Sequence, residues 1–553
     1  MKNLSAAILF IILGILGARA QYVSQVWSPD QGDGTYVNPV LYADYSDPDV
    51  CACDSGFWLT ASSFEASPAL PILFSTDLVN WRIAGHALPR LEPDSFDRPQ
   101  HGRGVWAPSL RHHSGTFYIY WGDPDQGIFM IKTTNPAGSW SRPLLVKAGR
   151  GLIDPCPLWD NDGRCYLVHG WAASRAHINS LLTLCELNSE GTAPIGNEVM
   201  IYDGNVDNNH TCEGPKLYKR NGYYYILCPA GGVAQGWQLA LRSKNIYGPY
   251  EARRVMEQGK SSVNGPHQGG WVETQGGASW FLHFQDLGLY GRVVHLQPMS
   301  WKDDWPVIGN DPDGNGCGNP VSRYKKPYTG RPSRIENPVE SDDFNSLWPG
   351  PQWQWSANYQ ESYGMGTPYG YLRLFTRCPR REGDNLWEAP NLLLQKFPAP
   401  AFTFTAQVKL TVKEELQEGG IVIMGRDYCT LTLEREGDNF VLLQRVCIHA
   451  DEGGGEATTL LARFEPDERQ PIEYAPTTSK NIFLRTVIKE GGLCTFFYSI
   501  DGKRFIACGS SFTAREGKWT GAKIGLLCRE PYAVPEPNRG WMDVEQVWVT
   551  NNS

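Results

Sequence analysis

Acidic side chains at three places along this chain could work together as acids and bases. The first group is Asp44, Asp47 and Asp49 in "NPVLYADYSDPDV"; the others are Asp154 in "GLIDPCPLWD" and Glu213 in "CEGPKLY". Three aspartates so close together fit a metal loop, a solvated turn, or one catalytic carboxylate with bystanders. Taken singly, Asp47 and Asp154 read as turn residues that cap their own backbone. Taken together, they recur at equivalent points of a repeat. Carboxylates gathered at one place carry desolvation and repulsion penalties that only a function offsets.

The repeat that must position them is a Gly followed by aromatic and β-branched residues. It appears as "GFWLTA", "GTFYIYW", "GRCYLVHGW", "GYYYIL" and "GASWFLHF", starting at Gly56, Gly115, Gly163, Gly222 and Gly277. Each is a short apolar strand after a turn, at a period of about 50 to 60 residues. A Pro-containing turn precedes each strand: Asp47-Pro48, Ala107-Pro108, Asp154-Pro155, Glu213-Gly214-Pro215 and Gly265-Pro266. Further strand-turn units, such as "FSTDLVNW" and "LRSKNIYGPY", bring each repeat to about four strands. Five such repeats predict an all-β, five-bladed propeller over residues 21–325, with the five turns converging on one funnel.

Composition sets the partner class. The chain has 553 residues and a formal charge of −9, which argues against nucleic acid and anionic membranes. It holds 20 Trp, 25 Tyr and 21 Phe, as strand cores require and as stacking on sugar rings would use. Residues 1–20, with Lys2, an apolar run from Ala6 to Leu16 and the Ala18-Arg19-Ala20 cleavage pattern, read as a signal peptide. The mature chain is expected to be periplasmic or extracellular, without a membrane span. The scattered cysteines have no zinc spacing and read as buried small hydrophobes.

Residues 326–341 are basic and Pro-rich and read as a linker. From 342 to 553 the pattern changes to strands with strict alternation. Phe402, Phe404, Ala406, Val408, Leu410 and Val412 share one face, and "CTFFYSIDGKRFIACG" is a hairpin turning at Asp501-Gly502. This half predicts a β-sandwich of jelly-roll type that packs against the propeller or shapes its substrate site, with a separate sugar-binding role as the alternative.

With these motifs in order, the chain resembles glycoside hydrolase family 43, the β-xylosidase and α-L-arabinofuranosidase family. "NPVLYADYSDPDV", "GVWAPSL", "GLIDPCPLWDNDGRCYLV", "CEGPKLYKRNGYYYIL", "NGPHQGGWV" and "GRVVHLQPMSW" carry the resemblance. The second half is similar to the concanavalin-like sandwich of the β-xylosidase branch. The resemblance implies that Asp47 is the general base, Glu213 the general acid and Asp154 the residue that tunes and orients the acid. It implies an exo-acting, inverting release of terminal xylose or arabinose from plant cell-wall glycans. Phe64 and Trp106 match walls of the sugar subsite, and Arg292 an arginine reaching substrate hydroxyls. His267 matches an axial histidine that in some members binds a calcium ion or its waters; no cofactor is otherwise expected. Ser109, Cys156 and Pro157 depart from the family pattern. Lys216 is expected to face away from Glu213.

Two other readings fit the same residues. One is a retaining fructosidase-like enzyme, which also joins a five-bladed propeller to a sandwich. The other is a glycan-binding protein that kept the fold without turnover.

Overall fold

The computed structural model describes residues 21–377, 383–470, 477–530 and 539–552. Residues 1–20, where a signal peptide is expected, lie outside them. Among the described residues no helix is long and apolar enough to cross a membrane.

Five four-stranded antiparallel meanders make the propeller. The first blade is Asp49–Cys53, Gly56–Thr60, Ala69–Ser75 and Arg82–Leu88. The second is Trp106–His113, Thr116–Asp123, Gly127–Thr133 and Leu144–Ala148. The third is Leu152–Trp159, Cys165–Trp171, Leu181–Leu187 and Val199–Asp203. The fourth is Lys216–Arg220, Tyr223–Ala230, Trp237–Ser243 and Glu251–Met256. The fifth is His267–Glu273, Ser279–Asp286, Arg292–Lys302 and Trp305–Ile308. The Gly-led repeats are the second strands.

Side-chain alternation explains why the blades stack. Phe57 and Leu59 join Leu282 and Leu296 between blades one and five, while Trp58 faces Leu110 and Phe117 of blade two. Tyr166 and Val168 pack on blade four, whereas Cys165 and Leu167 pack on blade two. Leu227 and Ala240 meet Trp271 and Phe281 between blades four and five. Each sheet buries both faces, so each interface between blades is a small core. The described cysteines are all unbridged and mostly buried in these cores and in the sandwich.

The ring closes without a covalent bond. Thr35–Val37 pairs with Arg323–Lys325, and Leu41 bridges to Val294 in the fifth blade. The Asn38 amide bonds the carbonyls of Leu296 and Val321 and accepts from the Leu296 N–H. The basic segment that follows is pinned along the first blade. Lys326 pairs with Asp30 and Asp77, and Arg331 donates to the carbonyls of Cys53 and Asp54.

The second half is a sandwich of a seven-stranded and an eight-stranded antiparallel sheet. Phe402, Phe404, Ala406, Val408, Leu410 and Val412 lie fully buried between the two. The same core takes in Tyr290 and Val293 of the fifth blade, so the two halves share apolar packing. Polar ties add direction: the Asn358 side chain bonds both backbone groups of Leu91, and His101 stacks on Trp387 at 3.7 Å.

Candidate active site

The N-terminal ends of all five innermost strands share one backbone device. Asp47, Ala107, Asp154, Gly214 and Gly265 each precede a proline and each has positive φ: 52°, 35°, 57°, 60° and 46°. A following proline disfavours the right-handed helical region. At Ala107 and Asp154 the left-handed residue falls within the strand and shifts its register as a bulge. For a non-glycine residue this conformation costs on the order of 1–3 kcal/mol, a strain held by the surrounding blades.

Asp47 is buried. Its Oδ2 accepts from the Ser62 hydroxyl at 2.6 Å, and Ser62 Oγ in turn accepts from the Ala107 N–H at 2.7 Å. The turn of blade two therefore orients the carboxylate of blade one. Arg292 Nη1 lies 3.3 Å from Asp47 Oδ1 and 3.5 Å from Oδ2. Asp154 Oδ2 accepts the Gly214 N–H at 2.7 Å, which ties it to the residue after Glu213. Glu213 keeps about a third of its side chain open to the cavity, with Oε1 3.5 Å from His267 Nε2.

Three carboxylates around one guanidinium leave the site short of positive charge. Burial first, then the charges of Asp154 and Asp47, push Glu213 up to about 8; only Arg292 opposes the rise. Burial and Asp47 push Asp154 up to about 7, against the Gly214 N–H, Lys216 and Arg292. Asp154 has three partners favouring its charged form and Glu213 has one, so the retained proton belongs on Glu213. Lys216 is directed away from Glu213, as its strand position predicts: its ammonium bonds the Pro108 carbonyl at 2.8 Å and lies 3.7 Å from Asp49. Its charge nevertheless acts on Asp154.

These groups line a cavity of about 320 Å³ built from all five blades and the sandwich. Phe64 and Trp106 form one wall, and Trp519 of the sandwich completes it. The Trp519 ring meets Trp106 edge-on at 4.7 Å and Phe64 at 6.1 Å. Arg292 and Gln268 also line the cavity. The cavity gathers Asp47, Phe64, Trp106, Asp154, Glu213 and Arg292, while His267 is buried beside Glu213 without lining it.

His267 has neither ring nitrogen hydrogen-bonded, and burial, Arg292 and His283 lower it to about 3, so it is a neutral imidazole. Ca²⁺ takes six to eight oxygen ligands. Among the described residues no three His, Cys, Asp or Glu side chains are grouped to hold a metal ion.

Ser109 and Cys156 lie outside the cavity wall. Cys156 Sγ instead accepts from Arg111 Nη2 and the Leu217 N–H within the blade stack. Ser62, Gln268 and Trp519 are among the residues of the site that the motifs did not mark, as are Trp171, Ser174 and Asn179 in the cavity wall. Ser62 follows the first repeat strand without a motif of its own. Gln268 stands directly after "NGPH", which was a usable signal. Trp519 sits in the other half of the chain, where no repeat register points to the funnel.

Known proteins match both halves. Residues 36–306 match the family described as glycosyl hydrolases family 43, and residues 341–548 match the beta xylosidase C-terminal concanavalin A-like domain. A putative beta-xylosidase of Xylanibacter ruminicola is 36% identical over 504 residues, covering 90% of this chain and 87% of its own. A beta-xylosidase of Formosa agariphila is 31% identical over 571 residues, covering 94% and 91%. A non-reducing end alpha-L-arabinofuranosidase of Bacteroides ovatus is 30% identical over 473 residues, covering 80% and 83%. Among solved structures, a GH43 protein of Bacillus licheniformis aligns with a TM-score of 0.77 at 25% identity over 94% of this chain and 100% of that one. A xylan beta-1,4-xylosidase from Bacillus halodurans shares the fold, with a TM-score of 0.78 at 22% identity over 93% and 100%.

Proposed function

Because this chain belongs to glycosyl hydrolase family 43, we propose that its cavity is the active site of an exo-acting glycosidase that releases a terminal pentose by inversion. The single observation that carries this reading is the meeting of Asp47, Asp154 and Glu213, from three different blades, in one cavity with an aromatic wall.

The roles follow from the environments. Glu213, held protonated by its neighbours, donates to the departing glycosidic oxygen. Asp47, oriented by Ser62 and paired with Arg292, takes a proton from the water that attacks the anomeric carbon. Inversion is the outcome when base and acid serve opposite faces of the sugar with room for that water. Asp154 sustains the proton on Glu213 by its charge and holds the Gly214 peptide. Trp106, Phe64 and Trp519 offer ring faces and edges to the apolar side of a sugar, and Arg292 offers N–H donors to its hydroxyls.

We propose β-D-xylose as the first substrate sugar and α-L-arabinofuranose as the second; relatives with both names cover most of the chain. Nitrophenyl β-D-xyloside and α-L-arabinofuranoside, assayed side by side, test the choice, and NMR of the first-formed anomer tests inversion. Release of neither pentose, or a retained anomer, would overturn the reading. We further propose export with cleavage before Gln21. N-terminal sequencing of the mature protein from its native host checks this.

A further inference from the structure

The cluster of aspartates contains a second residue whose contacts converge on the site. Asp44 is buried, and both its oxygens are used. Oδ1 accepts from the Ser46 hydroxyl at 3.0 Å and from the Arg292 backbone N–H at 2.9 Å. Oδ2 accepts from the Gly521 N–H of the sandwich at 3.0 Å. One carboxylate thus joins three segments: the turn that carries Asp47, the start of the strand that carries Arg292, and the loop that carries Trp519. Lys396 of the sandwich lies close enough to feel its charge.

The junction around it has no slack. A Cβ on Gly291 would fall 2.4 Å from Asp44 Cγ, and one on Gly521 would fall 2.6 Å from the Gly291 nitrogen. The next residue, Ala522, donates its N–H to the Leu289 carbonyl at 2.7 Å. Backbone from the sandwich is therefore in direct contact with backbone of the fifth blade, two residues from Trp519 and one from Arg292.

We propose that Asp44 is a positioning residue that registers the two halves of the enzyme, setting Arg292 against Asp47 and Trp519 over the sugar cavity through one carboxylate. It touches no reacting atom. Its consequence is that the propeller forms a complete sugar site only with the sandwich docked. The proposal deepens the glycosidase reading and rests on it for its kinetic test, while a second readout needs no substrate.

Asp44→Asn is the informative variant. Asparagine keeps one acceptor oxygen for Ser46 and Arg292 but turns an N–H toward the Gly521 N–H, so it breaks the tie to the sandwich selectively. Loss of one buried hydrogen bond of this kind predicts roughly a tenfold lower kcat/KM, mostly through KM. In a Trp519→Ala background the same change is expected to have less than about a twofold effect, because non-additivity marks residues that act through one another. Amide hydrogen exchange over residues 517–523 should quicken in Asp44→Asn while the thermal midpoint of the sandwich core holds. If that variant fails to fold, Gly521→Ala disturbs the same junction from the other side and should raise KM and exchange together. Unchanged KM and exchange, or equal losses in both backgrounds, would overturn the proposal. A wild-type enzyme without pentosidase activity but with faster exchange in Asp44→Asn would overturn the glycosidase reading and leave the registration intact.

Discussion

The Gly214 N–H donates to Asp154 Oδ2 at 2.7 Å, so the third carboxylate reaches Glu213 through the peptide that follows it. Asp154 therefore acts on Glu213 in two ways: it fixes the backbone that carries it, and its charge raises the proton affinity of that side chain.

Replacing Asp154 by Asn removes the charge and keeps an acceptor for Gly214. As the proposed general acid, Glu213 would work in its protonated form, and its raised proton affinity would set the alkaline limb of the activity profile. Without the neighbouring charge, the alkaline limb of kcat/KM should move to lower pH by about one unit. A profile with the wild-type alkaline limb would exclude this role.

Glu213→Gln and Asp47→Asn should each lose about 10²–10⁴-fold in kcat, the range for removal of a general acid or base. The leaving group separates them. With a nitrophenyl leaving group, which departs without protonation, Glu213→Gln should recover much of its activity, whereas Asp47→Asn should stay slow on nitrophenyl and alkyl glycosides alike.

The raised proton affinities of Glu213 and Asp154 also enter stability. The folded state holds protons that the unfolded chain, with carboxyls near 4, releases. Their contribution is fully present below about pH 4 and is lost as pH rises through the folded values of about 7 and 8. Glu213→Gln should flatten the fall in thermal midpoint between pH 5 and 9 (an assay window of about this width brackets both groups). A midpoint curve parallel to wild type would count against the buried-proton account.

Asp49 should fail differently from Asp47. It is fully buried, accepts the Leu110 N–H at 2.8 Å and pairs with Arg111 at 2.6 Å, with Lys216 at 3.7 Å. Asp49→Ala leaves two cations without their carboxylate, a loss of about 3–5 kcal/mol. Chemical denaturation should show that loss, while kcat per folded molecule stays close to wild type.

Trp519→Ala should raise KM more than it lowers kcat, because the ring meets Trp106 and Phe64 at the cavity wall and no acid. An aromatic contact of this kind is worth about 0.5–1.5 kcal/mol, or a few-fold to roughly tenfold in KM. Equal loss in kcat with KM unchanged would show that the wall serves the transition state alone.

Much of the fold was legible because the propeller writes itself into the chain. A period of apolar strands and proline turns is local information, and each repeat states its own geometry. The same register separated Asp47 from its neighbours: Asp47-Pro48 and Asp154-Pro155 stand nine residues before Gly56 and Gly163, and the structure gives both aspartates the same left-handed backbone conformation. Alternation likewise identified the buried face from Phe402 to Val412.

What the sequence by itself determined, then, is which acids share a turn and which strands share a blade, since both depend on short-range spacing. Tertiary structure alone decided that Ser62 orients Asp47, that Asp49 sits in an ion cluster with Arg111 and Lys216, and that Asp44 binds Arg292 and Gly521 at once. It also decided that Trp519, hundreds of positions from Trp106, completes the cavity wall. The physical reason is that these contacts join elements with independent periodicities. A repeat specifies the geometry inside itself, while the docking of sheets with no common register appears only when their surfaces meet.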